Sequence, residues 1–132
     1  MHDSIDFVST VVSVLTENEV DIVAFGDADP TPETWIIISR YDDPDAPRNE
    51  IIGIETSVST HEIAAAIASI VLTHRSIEIL IHQEKIESVG ARRFVAKFDI
   101  DDDRFKELDA YLEQVVSGAG IRLVRDLPNG AR

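Results

Sequence analysis

Ser59-Thr60-His61-Glu62-Ile63-Ala64-Ala65-Ala66-Ile67-Ala68-Ser69-Ile70-Val71-Leu72-Thr73-His74 decides how this chain is read. Ser59 followed three residues later by Glu62 has the form of a capping box, in which the hydroxyl serves the free N–H groups of a first helical turn and the carboxylate reaches back. The alanines and isoleucines behind it predict a helix over 63–74. That helix is apolar on nearly every side, so it is expected to be buried or to lie in an interface, including one between two copies of the chain. It falls between Ile51–Thr56, which reads as a strand, and a half-buried strand in which Ile77, Ile79 and Ile81 alternate with Glu78, Leu80 and His82.

Downstream, a polar connection holding Lys85, Glu87 and Gly90 leads to a strand over Arg93–Asp99, with Phe94 and Phe98 on one face. Asp101 or Asp102 caps a further helix whose apolar stripe is Phe105, Leu108, Tyr111, Leu112 and Val115. Gly118 and Gly120 end it, Ile121–Leu127 makes a last strand, and residues 128–132 are expected to fray. Upstream, Ile5, Val8, Val11, Val12 and Leu15 have helical spacing, which predicts a helix from Asp3, its N-cap, to Asn18. Val20–Gly26 is a short apolar run closed by a proline-rich loop. Trp35–Tyr41 (WIIISRY) is the clearest strand, and the turn over 42–47 suggests that it pairs antiparallel with Ile51–Thr56. Trp35, beside an acidic loop, reads as a core anchor or an exposed recognition residue, and its β-branched strand favours the core. The expected fold class is α+β: one mixed or antiparallel sheet with helices packed on it, in the order α-β-β-β-α-β-β-α-β. From Ile51 onward this is β-α-β-β-α-β, the split order of ferredoxin-like folds.

The chain has 132 residues, the size of a single domain over 1–132. It has no cysteine, which removes disulfides and thiolate chemistry and suits a reducing compartment. The start carries Asp3 and Asp6 where a signal peptide would be basic, and the longest apolar stretch, 63–72, is about half a membrane span. A soluble, cytoplasmic protein without a membrane partner is expected. The formal charge of −13 disfavours direct binding to nucleic acid, which needs clustered Lys and Arg. Three readings of the acidity stay open. It serves solubility; it is an adaptation to high salt, in keeping with only three lysines, Lys85, Lys97 and Lys106; or it forms an acidic face for a basic partner. The only positive cluster, Arg92 and Arg93 with Lys97 beyond, suits pairing with neighbouring carboxylates.

Motifs for chemistry are incomplete. Asp99, Asp101 and Asp103 open like a calcium loop, but Arg104 stands where glycine is needed and Ala110 where glutamate is needed. Carboxylates at a helix N-terminus explain them more simply. His61-Glu62 lacks a second histidine, since Ala65 holds that position, and His2, His74 and His82 have no partner at ligand spacing. No nucleophile elbow or glycine-rich phosphate loop occurs. No catalytic residue and no cofactor is therefore assigned.

The order α-β-β-β-α-β over Asp3–His82, with Asp21 opening a strand, resembles the core of PD-(D/E)xK nucleases. That resemblance implies a metal-dependent phosphodiester enzyme with Asp21 as a ligand. The acid and lysine of the motif do not follow: Ile38-Ser39-Arg40 lacks the acid and Glu55-Thr56-Ser57 lacks the lysine, so a degenerate, inactive relative is implied. Two classes of function thus stand. One is a non-enzymatic binding or regulatory domain, for example an acidic inhibitor or immunity-type protein with a basic protein partner, acting through Asp27, Asp29, Asp42, Asp43, Asp45, Asp99, Asp101 and Asp103. The other is the nuclease-like domain with a metal on Asp21, Asp27 and Glu55.

Overall fold

Residues 2–17 form two strands where a helix is expected. In the computed structural model, which describes residues 2–125, β1 (His2–Val8) and β2 (Val11–Glu17) meet at a corner over Ser9-Thr10. The Ser9 N–H donates to the Lys97 carbonyl (2.6 Å), the Thr10 N–H to the Gly26 carbonyl (2.9 Å), and the buried Ser9 hydroxyl to the Val11 carbonyl (2.7 Å). Before the corner Ile5 and Phe7 pack against the core; after it Val12 and Val14 do. The corner shifts the alternation by one residue, and two strands out of phase imitate a 3.6-residue period. The β-branched residues at 5, 8, 10, 11, 12, 14 and 16 favour the strands.

The same correction applies to 63–74, which form β6 (Ile63–Ala64) and β7 (Ile67–Leu72). A register shift between Ile67 and Ser69 buries Ile67, Ile70 and Leu72, a spacing of three that a helix would also show. Ser59 caps no helix: its hydroxyl accepts from the Thr56 N–H (3.2 Å) and donates to the His61 carbonyl (3.0 Å), which ties a turn. The interface helix expected here is therefore a pair of strands, with Ile67, Ile70 and Leu72 in the core and Ile63, Ala64, Ala68 and Val71 half-buried.

The other strands are β3 (Val20–Gly26), β4 (Trp35–Tyr41), β5 (Ile52–Thr56), β8 (Ser76–Ile81), β9 (Ala91–Lys97) and β10 (Arg122–Arg125). The helices are α1 (Ile86–Val89) and α2 (Asp102–Val116). They make two five-stranded sheets, not one. The first, β2-β3-β4-β5-β6, is antiparallel throughout. The second runs β1-β9-β8-β7-β10, with β1 parallel to β9 and β10 parallel to β7. The single-sheet α+β order and its ferredoxin-like half are overturned, and so is the order α-β-β-β-α-β on which the nuclease resemblance rests. The chain crosses between sheets at Ser9-Thr10 and again at Ala65-Ala66, where Ala65 has φ 57°. Such switching strands make the corners of packed sheet pairs. Residues 126 and 127 of the expected last strand, and 128–132, lie outside the described residues.

One core joins the two sheets. Val23, Phe25, Ile36, Ile38 and Ile54 come from the first, Ile70, Leu72, Ile77, Ile79 and Phe94 from the second, and Leu108, Leu112 and Val115 from α2. The helix begins as expected, with the Asp101 carboxylate accepting from the Arg104 N–H (2.8 Å). Three arginines fasten it. Arg104 donates to the Val12 carbonyl. Arg125 meets Asp109 and Glu113, and the hydrogen bond to Asp109 is the main reason that its pKa is raised. Arg40, buried on β4, donates through Nη1 to the carbonyls of Gln114 (2.8 Å), Val115 (3.0 Å) and Ser117 (2.7 Å). No described helix is long and apolar enough to cross a membrane.

Candidate functional site

Side chains alternate across a strand, so the residues between the core positions of the first sheet face outward. Val23, Phe25, Ile36 and Ile38 point in; Leu15 opposite Ile22, Ala24 opposite Ile37, and Val20 opposite Tyr41 point out. These outward residues are mostly aliphatic or aromatic and only half-buried, and Tyr41 is 55% exposed. The outer face of the second sheet is more mixed: Val8, 64% exposed, stands on it opposite Lys97. Glu78 and Arg93 form an ion pair on it, and Lys97 and Asp6 are exposed beside them. Exposed apolar area rimmed by polar groups marks interaction surfaces, whereas a charge-mixed face is ordinary solvated surface.

The charge divides along the same line. Residues 11–64, which contain the whole first sheet, carry only Arg40 and Arg48 against twelve Asp and Glu, a formal −10 of the total −13. Arg40 is buried with its guanidinium against the end of α2, and Arg48 pairs with Asp42 (3.6 Å). Among the described residues the outer face of β2–β5 therefore has no Lys or Arg on it, while Glu55 lies on the face itself, opposite Ile37.

At one end of this face the loop 27–34 borders an open cleft of about 400 Å³. Its floor is Ala24 and Gly26. Trp35, Ile37 and Val11 form the walls, and Ala28, Asp29, Pro30 and Pro32 form the rim. A Cβ at Gly26 would stand 3.3 Å from the Pro32 Cβ, a tight contact that the proline would have to relieve by a few tenths of an ångström. Asp27 holds the loop shut: its carboxylate accepts from the N–H groups of Glu33 (2.9 Å) and Thr34 (3.2 Å), and its own N–H donates to the Thr34 carbonyl (3.1 Å). Asp27→Ala is expected to cost about 1–2 kcal/mol, the usual effect of removing a carboxylate acceptor from two backbone donors. Urea unfolding would measure it, and a stability equal to wild type would show that the prolines hold the loop without Asp27.

No protein-family model and no curated protein sequence matches this chain. The site is thus read from its geometry alone.

The acidic residues expected to bind a partner are dispersed and differ in role. Asp29 lines the cleft. Asp27 ties the loop. Asp42 pairs with Arg40 (3.0 Å) and Arg48. Asp43 accepts from the Asp45 N–H (2.9 Å) inside the turn that also holds Asp45. Asp101 is the cap of α2, with Asp99 before it and Asp103 in its first turn. The triad Asp21, Asp27 and Glu55 does not converge. Asp21 has the inward parity of Val23 and Phe25, and accepts from Thr16 (2.7 Å) and Gln114 (3.0 Å), whereas Glu55 has the outward parity of Ile37. They lie on opposite faces of one sheet. Asp27 is six residues from Asp21, about 20 Å along a strand. Among the described residues no three His, Asp or Glu side chains could hold a metal ion together.

Trp35, whose strand favours the core over an exposed position, is half-buried and walls the cleft. The sequence carried two signals for this face. Ile22–Phe25 and Trp35–Ile38 are apolar in both phases, more than one buried face requires. The absence of any Lys or Arg before Arg40 is the other signal.

Proposed function

We propose that this chain is a non-enzymatic protein-binding domain that docks a basic partner on the outer face of β2–β5. The observation that carries this reading is the coincidence of an apolar sheet face with a half of the chain that holds −10 of the charge and, among the described residues, no Lys or Arg on that face. Apolar contact supplies affinity at the centre, and carboxylates around it speed encounter with a positive surface and reject negative ones. Two copies meeting through this face would bring like charges together, which argues for a partner of opposite sign. An inhibitor that covers the basic cleft of another protein is one form of this function. A uniform acidic coat for high-salt conditions would not concentrate the charge in one half of the chain.

Isotope-labelled protein titrated with a helical peptide that carries leucines flanked by arginines tests the reading, with the glutamate-flanked peptide as control. Amide shifts are expected over 11–26 and 35–41 for the arginine peptide alone, weakening as salt screens the charge. Ile22→Asp, at the centre of the face, should reduce affinity at least about tenfold, as expected for a central interface residue. Equal behaviour of the two peptides, or shifts on the outer face of β7–β9, would refute the proposal. Sedimentation equilibrium covers the remaining case: a dimer that Ile22→Asp dissolves would replace the basic partner by a second copy.

A further inference from the structure

The cleft at the loop end of the face is not built for a purely apolar anchor. Its floor and walls are apolar, but Glu55 and Asp29 also line it, and neither takes part in an ion pair among the described residues. An aliphatic or aromatic residue seated there would strip water from two carboxylates without replacing it, which is unfavourable. A hard metal ion would find too few oxygens between those walls. An organic cation satisfies both parts of the lining: an apolar stem for the walls and a charged head for the carboxylates.

Resting on the docking reading above, we infer that the cleft seats an arginine side chain of the basic partner, with Trp35 and Glu55 as its principal contacts. Arginine fits better than lysine. Its planar guanidinium is weakly hydrated, stacks on an indole ring and pairs with a carboxylate through two parallel N–H donors. The small floor residues Ala24 and Gly26 leave depth beside the taller Trp35 and Ile37 for the stem. At about 400 Å³ the cleft also has room for part of the residue next to the arginine.

Trp35 is the only tryptophan of the chain, so its fluorescence reports on the cleft directly. The probes are a blocked tripeptide with arginine between two valines, and the same peptide with citrulline, which keeps the shape and removes the charge. The arginine peptide is expected to change Trp35 emission saturably, and the citrulline peptide to bind at least about tenfold more weakly, since charge-assisted bonds are roughly twice as strong as neutral ones. Glu55→Gln should weaken the arginine peptide about tenfold and leave the citrulline peptide unaltered, while Asp43→Asn, in a turn away from the cleft, should change neither. Equal affinities for the two peptides, or an arginine affinity indifferent to Glu55→Gln, would overturn the inference. A lysine peptide binding as tightly as arginine would overturn the guanidinium assignment. The two readings fail separately. If Ile22→Asp abolishes helical-peptide docking but Glu55→Gln does not affect the arginine tripeptide, the face stands and the arginine seat falls. If the tripeptide binds with the expected dependence while the helical peptides fail, the cleft stands alone.

Discussion

Arg40→Ala is expected to lower the free energy of unfolding by about 3 kcal/mol, the largest effect of any charged residue here, because the buried Val115 carbonyl and the part-buried carbonyls of Gln114 and Ser117, which share the two Nη1 hydrogens, lose a charged donor at once, and hydrogen bonds to charged groups contribute about 1.5–3 kcal/mol each. Some of that loss is recovered by water reaching the end of α2, which is why the three bonds do not simply add. At this chain length the change corresponds to a melting temperature roughly 10 °C lower. The ion pair with Asp42 contributes little by comparison. The Asp42 side chain is 62% exposed, and exposed pairs are worth about 0–1 kcal/mol, so Asp42→Asn should be nearly neutral. Arg40→Lys should fall between, since an ammonium can donate to the carbonyls but cannot also span to Asp42 with a planar fork. Denaturant melts of the three variants check the order. A neutral Arg40→Ala, or an Asp42→Asn as damaging as Arg40→Ala, would mean that the guanidinium does not hold the helix end.

Arg40 also shows where sequence reasoning stops. Beside Ser39 it reads as a strand-end surface residue or as a substituted nuclease lysine, because nothing local says that the C-terminus of a helix some 75 residues later will dock against it. The helix itself was legible: an aspartate cap, a 3.6-residue stripe and closing glycines all agree over 102–116. Strands β3, β4, β5, β8 and β9 were legible for the same reason, since β-branched residues and flanking turns point one way. The two failures share a cause. At Ser9-Thr10 and near Ile67–Ser69 a strand changes phase, by a corner in one case and a register shift in the other. A phase change inside a period-2 pattern yields spacings of three and four, and alanines at 64–66 add helix propensity that the tertiary pairing overrides. With those two segments read as helices, one sheet replaced two, and the outer face could not be seen. Of the eight acidic residues singled out from clustering, Asp101 caps α2 and Asp27 and Asp43 accept from backbone N–H groups in turns, because short acidic runs collect where such groups need acceptors.

Two neighbours on β4 separate stability from binding. Ile38 is fully buried at 0% exposure and belongs to the core between the sheets, while Ile37 is half-buried and walls the cleft on the opposite face. Ile38→Ala is expected to cost about 4 kcal/mol, the usual loss for deleting a buried aliphatic side chain when the surroundings cannot close the cavity. Ile37→Ala should cost under about 1 kcal/mol, since much of that side chain already meets water. Binding should show the reverse order. Ile37→Ala removes one wall of the cleft and part of the apolar centre, so affinity for the arginine-flanked helical peptide should fall at least about tenfold, placing it among the minority of interface residues that cost more than about 1 kcal/mol when truncated. Ile38→Ala, studied below its melting temperature, should keep most of the affinity because the outer face remains. Urea melts and peptide titrations on the same two proteins give four measurements. If Ile37→Ala binds normally while Ile38→Ala does not, the functional surface is not this face. If both variants are equally destabilised, the outer face is covered in solution, and a second copy of the chain becomes the partner to test.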